Sequence, residues 1–250
     1  MMRVFSLLLC GCLIEAEAVA GVVQDPELLS APDVSPAVWG VVEEPPGPGP
    51  SPGVILLHGS AGWRSVYADL ARMLADSGFA TLALDYYAEI GSAAIGSDEK
   101  LQKWPQWKET VRNAVAYLQA SPSVSRRPIG LVGFSRGAFL AVSVASSVSG
   151  LEAVVDFFGG GGGGTDSLSQ EVQGLPALLI LHGEADQVVP VRFAYELRGA
   201  VLANGGEVDM HLYPGAGHAF NAPYASTYSQ AAAADSFRRT VGFLRKHLER

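Results

Sequence analysis

Six short apolar runs punctuate the chain, at residues 54–57, 80–84, 129–132, 153–158, 177–181 and 208–213. Each is continuous rather than alternating, the pattern of a strand buried on both faces, as happens when helices cover both sides of a parallel sheet. The intervals between them carry helical periodicity. Trp107, Val111, Ala114, Val115 and Leu118 recur at helical spacing, and Phe237, Val241, Leu244 and Leu248 form a similar stripe near the C-terminus. Gly78, after Ala75-Asp76-Ser77, reads as a helix stop. Strand and helix alternating in this way predict an α/β fold with a mostly parallel central sheet and ligands at the C-terminal ends of its strands. An edge strand is expected near residues 38–42, joined to the first interior strand by the proline- and glycine-rich turn of residues 44–53.

The composition agrees with one well-filled domain. With 250 residues, 48% of them hydrophobic, the chain can bury a sizeable core, and disorder is excluded as its main state. Seventeen basic residues stand against 25 acidic ones, with no run of Lys or Arg, so no surface suits a nucleic-acid backbone. The two cysteines, Cys10 and Cys12, both lie near the start. A disulfide framework, a cysteine-ligated zinc and a cysteine nucleophile further along the chain are thereby excluded.

Met1-Met2-Arg3, an apolar run over residues 4–14 and the small-residue stretch Ala16-Glu17-Ala18-Val19-Ala20 together read as a secretory signal peptide spanning residues 1–20. A single domain over residues 21–250 would then be secreted or periplasmic. The apolar run is too short to span a bilayer. Two other readings stay open: Cys12 as a lipid-anchored first residue, and a cytoplasmic protein with an apolar extension.

Gly133-Phe134-Ser135-Arg136-Gly137 is a G-x-S-x-G pattern between a predicted strand and a predicted helix. In so glycine-rich a chain the pattern alone says little, but its placement adds weight. A nucleophile on a sharp strand-to-helix turn sits in strained backbone, and glycines two positions either side avoid collision. A serine hydroxyl needs a base, and the base needs an orienting acid. Of the five histidines, His58 and His182 end strands and suit structural loop positions, His211 lies within a predicted strand, and His247 sits in the final helix. His218 alone occupies a long loop after the last strand. Asp186, after the penultimate strand, is the favoured acid; Asp156, inside an apolar run one strand earlier, is the competitor. The backbone amides of Arg136 and of Ser60, with Ala61 as the neighbouring alternative, are placed to stabilise an oxyanion. His182, Glu184 and Asp186 could be read as metal ligands, but alternate loop positions rarely converge, so neither metal nor cofactor is expected. The six glycines of residues 159–164 read as a permissive loop or a mobile cover.

With these residues in hand, the chain resembles the dienelactone hydrolase family of α/β-hydrolases from about Val38 to the C-terminus. The resemblance rests on Leu57-His58-Gly59, Leu84-Asp85-Tyr86-Tyr87, the Ser135 pattern, His182-Gly183-Glu184-Ala185-Asp186 and Gly217-His218-Ala219-Phe220. It implies a sheet of about eight strands and a Ser135, Asp186, His218 triad acting on a small-molecule ester or lactone. Members that open dienelactone itself resemble one another in using a cysteine nucleophile and arginines that grip the substrate carboxylate. Ser135 and the arginine-free stretch after His218 depart from that pattern, which makes dienelactone a doubtful substrate. Trp63, Tyr86, Tyr87 and Phe220 are aromatic residues on ligand-side loops, each readable as substrate-lining or as packing. A peptidase or thioesterase with the same triad, and a non-catalytic binding protein on the same scaffold, are the competing readings.

Overall fold

The computed structural model describes residues 27–29, 38–124, 127–164 and 166–249. The expected signal peptide and Cys12 lie outside the described residues. Among the described residues eight strands form one sheet: β1 (Glu27–Leu29), β2 (Val38–Glu43), β3 (Gly53–Leu57), β4 (Ala80–Leu84), β5 (Ile129–Phe134), β6 (Leu151–Phe157), β7 (Ala177–Gly183) and β8 (Val208–Tyr213). Their spatial order is β1-β2-β4-β3-β5-β6-β7-β8. The β1–β2 and β2–β4 pairs are antiparallel and the other five are parallel. Interior strands β3, β4 and β5 are buried at every position, which is why they read as unbroken apolar runs.

Among the described residues six helices cover the sheet: α1 (Ser65–Asp76), α2 (Asp98–Ala120), α3 (Arg136–Ala145), α4 (Leu168–Glu171), α5 (Arg192–Ala203) and α6 (Gln230–Leu248). One apolar cluster joins α2, α3 and α5 to one face, through residues such as Trp107, Leu140 and Leu197. A second joins α1 and α6 to the other, through Leu74, Phe243 and Leu244. Helix α2 begins earlier than its apolar stripe suggests: the Ser97 hydroxyl caps it by accepting the Lys100 amide, and Asp98 and Glu99 suit the positive end of the helix.

The chain runs from β3 through α1 to β4 on one side of β3, then returns through α2 to β5 on the other. Where strand order reverses, the loops after neighbouring strands diverge and leave a crevice. The crevice lies at the C-terminal ends of β3 and β5, where His58-Gly59-Ser60 and Ser135 emerge. No helix among the described residues is long and apolar enough to cross a membrane.

Candidate active site

Ser135 links β5 to α3 with φ 53° and ψ −117°, a conformation that L-residues other than glycine rarely hold and that costs on the order of 1–3 kcal/mol. Its amide donates to Phe157 O at 2.9 Å, and its carbonyl accepts the Ala138 and Phe139 amides. The flanking glycines are steric requirements. A Cβ on Gly133 would stand 2.4 Å from Ala138 Cα, and one on Gly137 would stand 2.2 Å from Leu57 O. The start of α3 is therefore pressed against both β5 and the end of β3.

The three residues expected to work together are adjacent. The Ser135 hydroxyl lies 3.0 Å from His218 Nε2, and His218 Nδ1 lies 2.7 Å from Asp186 Oδ2. Asp186 Oδ1 accepts the amides of Val188 and Val189, each at 2.8 Å. Burial works against charge on Asp186, but the His218 hydrogen bond and the two amides outweigh it, and the carboxyl titrates below its ordinary range. An ionised acceptor on that side makes Nδ1 the protonated nitrogen and leaves the Nε2 lone pair to accept the serine proton. The loops carrying the acid and the histidine are held together by backbone: Glu184 N donates to Tyr213 O, and Ala185 N to Ala216 O. Gly183 permits this approach, since a Cβ there would meet Ala216 O at 2.3 Å.

Asp156, the competing acid, is fully buried in β6. Its Oδ1 accepts the Gly159 amide at 2.8 Å, its Oδ2 has no partner, and it pairs with no histidine among the described residues. Burial pushes its pKa up to about 7. His58 is also buried, stacked on Tyr86 at 4.0 Å and set between Gly59 O and Asp85 Oδ1. His182 donates from Nε2 to Val189 O at 2.8 Å, and burial lowers its pKa. Both have the structural role expected of them. Glu184 is exposed, so it does not converge with His182 and Asp186, and no group of three or more His, Cys, Asp or Glu among the described residues is arranged to hold a metal ion.

Two cavities flank Ser135. One, of about 180 Å3, is lined by His218, Phe158, Tyr67 and Tyr224 among others. The other, of about 290 Å3, is lined by Arg136, Lys100, Phe139 and residues 161–163. Ser60 borders both. The amides of Ser60 and Arg136 donate to no other group among the described residues, which leaves them free for a ligand.

The expected lining residues need correction. Tyr86 is fully buried, with its hydroxyl donating to His58 O at 2.9 Å. Phe220 is fully buried against Phe158 and Tyr213. Tyr87 is buried too; its hydroxyl accepts from Arg136 Nη1 at 2.7 Å, which pins the elbow arginine. Trp63 is half-buried with its indole nitrogen unpaired, and like the other three it lines neither cavity. Tyr86, Tyr87 and Phe220 pack because their loops turn the rings inward, a direction that loop sequence does not encode. The residues that sequence reasoning missed are Tyr67, Tyr224 and Phe158. Tyr67 holds the Gly59 amide at 3.0 Å. Phe158 has φ 43°, and its ring meets the His218 ring edge-on at 4.8 Å. Only the position of Phe158 at the end of an apolar run hinted at its place.

The glycine tract matches neither expected reading in full. A Cβ on Gly160 would stand 3.0 Å from Phe139 and Phe193, and one on Gly164 would stand 2.0 Å from Trp104 Nε1. Only Gly162 within the tract has positive φ. Small size, more than conformational freedom, is what this segment needs.

The topology, with a serine on the strand-to-helix turn after β5, is that of the α/β-hydrolases. A model of the dienelactone hydrolase family matches residues 38–248, and the chain belongs to that family. A Methylorubrum extorquens protein provisionally named carboxymethylenebutenolidase is 28% identical over 213 residues, covering 80% of this chain and 73% of its own. Mouse acyl-coenzyme A thioesterase 1 is 34% identical over 140 residues, covering 56% of this chain but only 31% of its own. Among solved structures, a provisional dienelactone hydrolase of Klebsiella pneumoniae aligns with a TM-score of 0.77 at 22% identity, covering 88% of this chain and 98% of its own. Family and relatives make this chain a hydrolase.

Proposed function

We propose that the protein is a serine hydrolase of carboxylic esters or lactones working through an acyl-enzyme. Ser135 Oγ attacks the substrate carbonyl carbon while its proton passes to His218 Nε2. Asp186 holds the imidazole in the required tautomer and balances the imidazolium. The amides of Ser60 and Arg136 receive the oxyanion. His218 then returns the proton to the leaving alkoxide, which departs as the alcohol or, from a lactone, stays tethered. Water activated by the same nitrogen attacks the ester carbonyl on Ser135 and releases the carboxylic acid.

The observation that carries this reading is the unbroken hydrogen-bond line from the strained Ser135 through His218 to Asp186. A scaffold kept only for binding has no need to hold a serine in that conformation. Ser135→Ala should abolish turnover of short p-nitrophenyl esters and labelling by a fluorophosphonate while leaving the melting temperature within a few degrees. Full turnover in that variant would sink the assignment. The likeness to an acyl-coenzyme A thioesterase favours a second reading, a thioester substrate for the same residues. Parallel kinetics on matched esters and thioesters decide between them.

A further inference from the structure

Helices α1 and α6 share one face of the sheet but leave a gap between them above β3 and β5. A cavity of about 510 Å3 occupies the gap, within the ~300–1,000 Å3 typical of small-molecule sites. Its floor is Leu56, Val132 and Phe157; Met73 forms one side, and Ala233 and Phe237 the other. Val66, Leu70, Phe134 and Asn221 line both this groove and the 180 Å3 cavity that contains Ser135 and His218. The two spaces are thus neighbours with a common wall. Large apolar side chains are exposed along their rim: Met73 (45%) and Tyr228 (41%) at the groove, and Tyr224 (54%) at the serine cavity. Leu56, Val132 and Phe157 are themselves buried, so the apolar surface open to solvent is that of the sides and rim, and it gains free energy when hydrocarbon covers it.

From this adjacency we infer that the groove seats an unbranched hydrocarbon chain of the substrate, of about eight carbons or more, passing over the shared wall and leading away from the scissile bond at Ser135. The inference rests on the serine-hydrolase reading for the position of that bond. The chain belongs to either the acyl or the alcohol half of the ester, and both present the same methylenes to the same walls.

Two series test it: p-nitrophenyl esters of two to twelve carbons, and alkyl acetates over the same range. In one of them kcat/KM should rise roughly four-fold per methylene until the groove is filled, then level off. Ala233→Trp, which fills the groove from α6, should collapse the eight-carbon to two-carbon ratio toward one. Phe237→Ala, which enlarges it, should shift the optimum to longer chains. Binding is measured separately by calorimetry on Ser135→Ala, with octanoate against acetate and 1-octanol against ethanol. Length-dependent binding without turnover by the wild type would uphold the groove and remove the hydrolase reading. Rates and binding indifferent to length in both series, or an unchanged length preference in a folded Ala233→Trp protein, would overturn the inference.

Discussion

His218 and Asp186 meet at 2.7 Å between Nδ1 and Oδ2, while the other oxygen of the same carboxylate is occupied by two backbone amides. The acid is therefore fixed on both oxygens before any substrate arrives. Its depressed pKa keeps it ionised through the neutral range, because the gain from His218 and the amides exceeds the cost of burial. Asp186→Asn leaves the geometry nearly intact but presents an amide to Nδ1, which favours the wrong tautomer. We expect kcat to fall by about 10^4-fold. Steady-state kinetics with a circular dichroism check of folding will test this, and a loss under ten-fold would remove Asp186 from its proposed role.

The elbow glycines make a stability prediction. Gly137→Ala puts a Cβ 2.2 Å from Leu57 O, a backbone atom that cannot step aside. Either α3 shifts or β3 bends, and both are tied to the sheet. Urea denaturation should show a loss of about 3 kcal/mol or more. An exposed glycine of open surroundings such as Gly199, with nothing near its Cβ position, should accept alanine at little cost or with a small gain.

Much of the fold was legible because burial on both faces writes strands as continuous apolar runs, and β3 to β8 fall where those runs lie. Other features escaped. Three-residue β1 is too short to carry a pattern, and the first turns of α2 are polar, with Pro105 inside the helix. Ser135, Asp186 and His218 were legible because each follows a recognisable strand. The aromatic lining was not, since a loop residue such as Phe220 gives no periodicity from which to infer whether it faces the cavity or the core.

That distinction separates a phenylalanine from a tyrosine experimentally. Phe220→Ala removes a fully buried ring and should cost about 3–5 kcal/mol of stability. Tyr224→Ala trims a half-exposed ring on the rim of the serine cavity, so the melting temperature should stay within a few degrees while KM rises. Equal effects of the two variants on stability would contradict the burial pattern.

The absence of cysteine after Cys12 gives a chemical test. Iodoacetamide should leave hydrolysis unchanged, whereas a fluorophosphonate should stop it by modifying Ser135. Inactivation by iodoacetamide with the label mapped to a cysteine would be incompatible with a serine as the reacting group, whereas a label on His218 would not.

Asp156 supplies a pH dependence that is separate from catalysis. Its folded-state pKa is pushed up to about 7 by burial, whereas in the unfolded chain it titrates as an ordinary carboxyl near ~4. The folded protein therefore keeps a proton that the unfolded chain releases between those values. Stability from this group is complete below about pH 4, declines as pH rises toward 7, and is flat above it; the total is on the order of 4 kcal/mol. Glu171, also raised to about 7 by burial, acts with the same sign. Asp156→Asn keeps an oxygen to accept the Gly159 amide and cannot ionise. Its urea-denaturation free energy should consequently fall less between pH 5 and pH 8 than that of the wild type, with a residual slope from Glu171. Identical slopes in the two proteins would mean that Asp156 is already ionised at pH 5, and that the unpaired Oδ2 has found a partner in solution.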